Sequence, residues 1–374
     1  MHAGARVLIT GGAGFIGSHL ADALLLRGYR VRVLDALTEQ VHGGSPSFPT
    51  YLAREVETVR GDVRDRDAVL RALEDIDAVF HFAAAVGVGQ SMYEIESYTD
   101  TNNRGTAVLL EALLRRPVGK LLVASSMSIY GEGLYRAADG RLSSPRPRTL
   151  EQLKAGRWDL TDERGQPLEP VPTPESKPAA PESIYALSKH DQEMMCLLFG
   201  RCYGVPAVAL RFFNVYGERQ ALSNPYTGVL AIFAARYLNG RPPVIFEDGR
   251  QQRDFVHVRD LARGCVLALE KPEARDMVFN LGSGEPHSIL EIAERLGAVL
   301  GRAHLQPEVR GRYRAGDIRH CFADISRARA MLGYRPEVPL ETGLAELGGW
   351  LEGQRTEDRT EAADHELRLR GLVA

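Results

Sequence analysis

Eight residues near the start, "TGGAGFIG" (10–17), limit this chain more than any other segment. Val7 to Thr10 lead into them as a β-rich run, and beyond Gly17 apolar residues recur at helical spacing through Leu26. Gly28 ends that helix, and "YRVRVLD" (29–35) alternates like a second strand. Strand, glycine-rich turn, helix and strand are the setting in which such glycines bind a dinucleotide. The spacing here is GxxGxxG. Gly11 permits the tight turn. Gly14 lets a pyrophosphate approach the backbone at the helix N-terminus, where unpaired N–H groups and the helix dipole favour anions. Gly17 lets the helix lie close to the strand. Asp35 closes the second strand, where a carboxylate accepts hydrogen bonds from both adenosine-ribose hydroxyls and repels a 2′-phosphate. NAD is therefore expected over NADP, with Arg32 on the opposite face. "VETVRGDVRD" (56–65) offers a third strand ending at Asp62, a position that reaches the adenine amino group in this kind of fold. "AVFHFAAAVG" (78–87) is a fourth strand, with small residues where a cofactor needs room.

Further along, "TNNRGTAVLLEALLRRP" (101–117) reads as a helix whose apolar face includes Val108, Leu109, Ala112 and Leu113. "GKLLVASSMSIYG" (119–131) is a buried strand that delivers Ser125 and Ser126 to its carboxyl end. Between Glu132 and Pro181 the character changes: eight of the twenty prolines fall there, so an insertion is expected, mostly loop, with one short helix around "TLEQLKAGRW" (149–158). Strands and helices then alternate to residue 351. Such alternation, opening on a phosphate-binding turn, implies an α/β fold with a Rossmann-type doubly wound parallel sheet. Residues 1–215 form the expected dinucleotide domain, interrupted by 132–181. Residues 216–352 form a smaller α/β substrate domain, with 253–265 packing back on the first, and 353–374 a charged, helix-compatible, poorly ordered tail.

Composition narrows the function classes. A chain of 374 residues that is 44% hydrophobic can bury a large core. A formal charge of −3 without any basic block argues against nucleic acid as a partner. No apolar stretch approaches a membrane span, and Arg6 leads straight into a strand, so no membrane and a cytoplasmic setting are expected. The four cysteines have no CxxC spacing and form no disulfide framework.

"SIYALSK" (183–189) places a phenol and an ammonium four residues apart on a helix, with both roots of the insertion beside the ligand edge of the sheet. Together with "TGGAGFIGSHL", "GDVRD", "HFAA", "NNRGT", "SSMSIYG", "RFFNVYG", "RDFVHV", "FNLGSG" and "LGYRP", in that order along residues 5 to about 350, this resembles the extended short-chain dehydrogenase/reductase family, in its nucleotide-sugar epimerase and dehydratase branch. The resemblance implies a triad of Ser126, Tyr185 and Lys189. Ser126 is preferred to Ser125 because it stands two before Ser128. It implies cofactor contacts from Gly11, Gly14, Phe15, Ile16, Gly17, Asp35, Asp62, Val63, Phe82, Ala83, Ala84, Tyr185 and Lys189, with Asn102 supporting the cofactor loop. Ser126, Ser128, Asn214 and Arg253 are expected at the sugar diphosphate, with Arg314 and Asp317 near the nucleotide. A homodimer paired through helices 103–115 and 185–200 follows from the same likeness.

A phenol of pKa about 10 is a poor base at neutral pH. Lys189 and a cationic nicotinamide are expected to favour the phenolate, and a shift of about three units corresponds to roughly 4 kcal/mol. Tyr185 then takes a proton from a sugar hydroxyl while its carbon gives hydride to NAD, with Ser126 sharing that proton. The family's dehydratases carry an Asp-Glu pair just after the catalytic hydroxyl residue; here stand Met127 and Ser128. The Glu of the decarboxylases is missing from this stretch, and Met127 replaces the Cys of the reductase-epimerases. The minimal triad that remains suits 4-epimerisation of a nucleoside-diphosphate sugar. The long insertion suggests a deoxyhexose such as that of dTDP-L-rhamnose. The alternatives are an oxidoreductase or dehydratase that releases its keto or reduced product, and a non-catalytic NAD-binding regulator. The insertion has no cysteine for a zinc ribbon, so no metal is expected. It either covers the sugar or decorates the surface, with Trp158 as its anchor. His81 and His257 are expected to be structural, and Met194, Met195 and Leu198 to pack.

Overall fold

The computed structural model describes residues 2–224, 226, 228–314, 316–354 and 356–373. Seven strands form one parallel sheet: β1 (Arg6–Thr10), β2 (Arg30–Asp35), β3 (Glu57–Arg60), β4 (Ala78–His81), β5 (Lys120–Ser126), β6 (Ala207–Phe212) and β7 (Met277–Leu281), in the order 7-6-5-4-1-2-3. The register pairs Val7 with Val31 and Ala78, and Leu122 with Val208. Central strands are buried on both faces, which is why they read as continuous apolar runs. Alternate residues supply two different cores. Val7, Ile9, Val33 and Phe80 face one way, packing with α1 (Phe15–Leu26) and the later α6 (Val258–Glu270). Leu8, Leu34, Val79 and Leu121 face the other, against α2 (Arg66–Ala72), α3 (Gly105–Arg115) and α4 (Ile184–Tyr203).

Both ends of α4 have local causes. The Ser183 hydroxyl accepts from the Ala186 N–H, and Gly204 takes a left-handed φ of 72° just past the end. Beyond residue 213 a third core gathers Phe233, Tyr237, Ile245, Phe255, Ile292 and Leu344 from α5 (Val229–Leu238), α7 (Ile289–Val299), α8 (Leu340–Leu351) and the strands Val244–Ile245 and Gln252–His257. The chain returns to the large sheet further along than expected. Packing against the first core continues through α6 to residue 270, and β7 bonds to β6 as the sheet edge. Residues 277–281, read as part of the substrate domain, thus belong to the dinucleotide-domain sheet. That pairing is long-range and leaves no local mark.

The insertion is more ordered than a proline-rich stretch suggests. Leu134–Arg136 pairs with Leu142–Ser143 and Glu169–Val171, and the helix Leu150–Lys154 opens on a Thr149/Gln152 capping box. Tyr135, Ala137, Leu160 and Leu168 form its own small core. Trp158 is only half-buried, and its carbonyl accepts from Arg148 at 3.3 Å. The terminal segment forms the helix its composition allows, α9 (Thr360–Leu369), and is more ordered than expected, burying Ala363 and Leu367. No helix among the described residues is long and apolar enough to cross a membrane.

Candidate active site

The glycine turn has the geometry its spacing predicts. Gly11 adopts φ +69°, and a Cβ there would lie 2.9 Å from the Ala83 backbone. A Cβ on Gly17 would lie 2.6 Å from the Gly11 carbonyl, so the helix approaches the turn only because the residue is glycine. Gly14 differs. Its nearest neighbour would be the Gly11 carbonyl at 3.4 Å, so protein packing alone does not demand it. It caps α1 without any side-chain hydrogen bond, leaving the first N–H groups of the helix for a ligand.

This turn borders a cavity of about 430 Å³. Gly11, Gly14, Phe15, Ile16, Gly17, Asp35, Asp62, Val63, Phe82, Ala83, Ala84, Tyr185 and Lys189 all line it. Asp35 accepts from the Ala13 and Leu37 N–H groups at 3.0 and 2.9 Å, which aims the carboxylate while leaving lone pairs for hydroxyl donors. Arg32 turns away, donating to the Ala72 and Glu74 carbonyls. Asp62 is gripped by Arg64, whose hydrogen bonds hold its carboxyl below the usual range. Asn102 lies outside the lining, fully buried in a π-helical turn at 100–104. Its side chain accepts from the Ala85 N–H at 2.7 Å and donates to the Ala85 carbonyl and Ser188 Oγ at 3.1 and 2.8 Å. It thus staples the loop after β4 to α4. The glycine cradle, the aimed Asp35 and this stapled loop fit a dinucleotide such as NAD.

A second cavity of about 350 Å³ adjoins the first. Ser126, Tyr185, Phe212, Phe213 and Asn214 border both, so the two chambers meet at the end of β5 and the start of α4. Ser128, Arg253, Arg314 and Asp317 line the second. The Ser126 Oγ accepts from the Ser128 hydroxyl at 2.8 Å, whereas Ser125 turns inward and donates to Glu193 at 2.6 Å. All four terminal N–H groups of Arg253 are taken by the Gln252, Ile318 and Arg319 carbonyls and by Asp317. Asn214 Oδ1 and Arg314 Nε are buried without a partner among the described residues, an acceptor and a donor left for a ligand.

Electrostatics at the junction differ from the sequence-based expectation in one respect. Protein groups push the Tyr185 phenol up rather than down: burial raises it, and a hydrogen bond with Ser126 opposes. Lys189 is not what lowers it. Its ammonium donates to Gln192 Oε1 at 2.6 Å, and burial lowers its own pKa to about 8. Gln192 in turn donates to Thr106, which neighbours His81. His81 bonds Thr10 and Thr106, and burial drops it to about 3, so it is a neutral core histidine. His257 caps α6 by accepting from the Arg259 N–H. Met194 and Leu198 do not pack as expected; they are exposed on α4.

Sequence reasoning missed several contributors. Arg64, Phe246, Gln251 and Arg310 line the chambers, and so does the terminal helix α9. Of these only Arg64 stood in a short pattern, the "GDVRD" stretch.

A family model described as the NAD dependent epimerase/dehydratase family matches residues 7–152 and 161–282. The dTDP-L-rhamnose 4-epimerase of Burkholderia thailandensis is 36% identical over 353 residues, covering 93% of this chain and 95% of that protein. The UDP-glucose 4-epimerase of Thermotoga maritima, solved with UDP-glucose, superposes with a TM-score of 0.75 at 32% identity over 93% of this chain and 98% of that one. The UDP-glucose 4-epimerase of Thermus thermophilus, solved with NAD, gives 0.73 at 31% over 94% and 100%.

Proposed function

The chain belongs to the NAD dependent epimerase/dehydratase family, and from that premise we propose that it epimerises carbon 4 of a nucleoside-diphosphate sugar through a transient 4-keto intermediate. The observation that carries this reading is the junction of the two chambers at Ser126 and Tyr185. A sugar in the second chamber presents its carbon to a nicotinamide in the first at that junction. NAD held by the glycine turn and Asp35 would supply a reversible hydride acceptor, so that the hydride lost from carbon 4 could be restored on its opposite face. Tyr185 takes the proton of the 4-hydroxyl and gives it back, and Ser126 orients that oxygen. Since burial raises the phenol and Lys189 does not offset it, positive charge brought to the junction by a bound nicotinamide would be needed to favour the phenolate. Asn214 and Arg314, with their unpaired Oδ1 and Nε, hold the nucleotide-sugar, while Arg253 spends its terminal N–H groups on fixing Asp317 and the 318–319 backbone beside it.

Met127 is buried and Ser128 is bonded to Ser126, so the acid and base of a dehydratase have no counterpart at those two positions. For the sugar we propose a 6-deoxyhexose carried on dTDP, supported by the 36% relative. A homodimer is supported by Leu187, Met194 and Leu198, which are 45%, 37% and 47% exposed on one face of α4. Four free thiols support a reducing, cytoplasmic setting.

The test incubates the purified protein with UDP-, dTDP-, GDP- and CDP-sugars without added cofactor and follows products by NMR. Epimer pairs at equilibrium are expected. A stoichiometric requirement for NAD(P)H would replace this reading with a net oxidoreductase.

A further inference from the structure

The terminal segment 356–373 is charged and offers no motif, yet it forms the outer wall of the second chamber. Along α9, Glu361, Ala363, Asp364 and Leu367 line the cavity, and Ala363 and Leu367 are only 7% and 4% exposed. The docking is anchored at several points. Asp358 and Arg236, each with a side chain 3% exposed, form an ion pair at 3.1 Å. Arg236 also reaches Glu361 at 3.3 Å, and Arg370 lies 4.3 Å over the Tyr93 ring. Val373 bridges to Arg314 through the backbone. Ordering a polar tail costs about 1–2 kcal/mol per residue in backbone entropy. The burial of Ala363 and Leu367 and the Asp358–Arg236 pair are among the contacts that offset part of it.

Two residues a turn apart on α9 meet different chemistry. Leu367 packs on Gly89, where an added Cβ would lie 3.3 Å from it. Gly89 lies in the short helix Val88–Ser91, and residues 86–89 line the second chamber with Ser126 and Tyr185. Asp364 instead faces Arg312 at 3.6 Å, near the Arg310 and Arg314 side of the chamber. Its Oδ1 is buried without a partner among the described residues, as is the Nε of Arg314. A leftover acceptor and a leftover donor in one cavity suit a ligand with both hydroxyls and phosphate oxygens.

We propose that α9 is part of the substrate site. It closes over a bound nucleotide-sugar, Leu367 makes the apolar contact at the sugar end, and Asp364 accepts from a ligand hydroxyl. The tail therefore sets KM and the choice of sugar. This deepens the epimerase reading and rests on it only for the identity of the ligand.

Four proteins test it: the full chain, a chain ending at Gln354, and full-length Leu367→Ala and Asp364→Asn variants. NAD content, KM and kcat are measured for whichever nucleotide-sugar the full chain turns over. The expected result is a KM about tenfold higher or more, with NAD content unchanged. A truncated chain that fails to fold leaves the two point variants to decide. Independently, trypsin cleavage after Arg368 is timed with and without saturating UDP or dTDP. A ligand that contacts docked α9 holds it docked and slows cleavage. Unchanged KM in both point variants, or cleavage unslowed by either nucleotide, overturns the proposal. If the full chain turns over no sugar, the epimerase reading fails, while the cleavage assay still decides whether α9 covers a bound nucleotide.

Discussion

At the residue scale, the contest at Tyr185 is between burial and charge. Burial raises the phenol, so its use as a base depends on charge delivered to the junction. Tyr185→Phe keeps the ring and the α4 start while removing the proton carrier. Turnover is expected to fall by about 10²–10⁴-fold with NAD still bound, checked by single-turnover assay and by absorbance of the released cofactor. Asn102 makes a different kind of claim. Asn102→Ala leaves the Ala85 N–H and Ser188 hydroxyl without their partner inside the protein. The expected cost is about 1–3 kcal/mol, read from a denaturant midpoint, together with faster loss of NAD. Tyr185 and Asn102 could both be singled out in the sequence because each sits in a short pattern. Gln192, which holds Lys189, could not, since a glutamine on a helix is common and its partner is set by packing.

At the element scale, the insertion behaves as neither of the two things expected of it. No described residue between 132 and 181 lines either chamber. Instead it is clamped to the wall that carries Asp317. Arg148 donates to Glu247 at 2.7 Å and to the Asp317 carbonyl at 2.9 Å. Arg319 bonds Glu247, Asp248 and Asp159, and its backbone N–H donates to Glu132. Arg148, Glu132 and Glu247 have side chains 2%, 5% and 1% exposed. Removing one partner of such a network strands a buried charge. Arg148→Ala is expected to destabilise by about 3–5 kcal/mol in a thermal or urea melt. A loss within 0.5 kcal/mol would mean that water reaches the network. Deleting 135–178 removes Arg148 and Asp159 together, so loss of stability is expected before any change in sugar preference.

At the scale of the whole molecule, the exposed stripe on α4 and the buried histidines each lead to a measurement. Leu187, Met194 and Leu198 are three apolar residues that a lone chain leaves in water. Sedimentation at micromolar concentration is expected to give a dimer, and Leu198→Glu a monomer. Burial is the largest cause lowering His19 from 6.5 to about 4, and His81 and His320 to about 3. The unfolded chain binds these protons near pH 6.5 and the native state does not. Stability is therefore present above pH 6.5 and is lost as pH falls below it, by on the order of 1.4 kcal/mol per histidine per pH unit. A melting temperature that stays flat from pH 7 to pH 5 would contradict this.

Local causes made much of this protein readable in its sequence. The glycine turn, Asp35 at its strand end, the Ser183 cap and the Tyr185–Lys189 spacing act within a few residues, through φ limits, helix dipoles and the helical period. Folding decided the rest. Glu247 pairs with Arg148 at a separation of 99 residues, and Arg319 with Glu132 at 187. β7 finds the sheet edge, and α9 finds the second chamber, through contacts that neither segment announces. Apolar burial is non-directional, and the partner of a buried charge depends on which surfaces packing brings together. One chain's residue order therefore carries the glycine turn and the Tyr185–Lys189 spacing openly, while the walls of the second chamber exist only in the folded molecule.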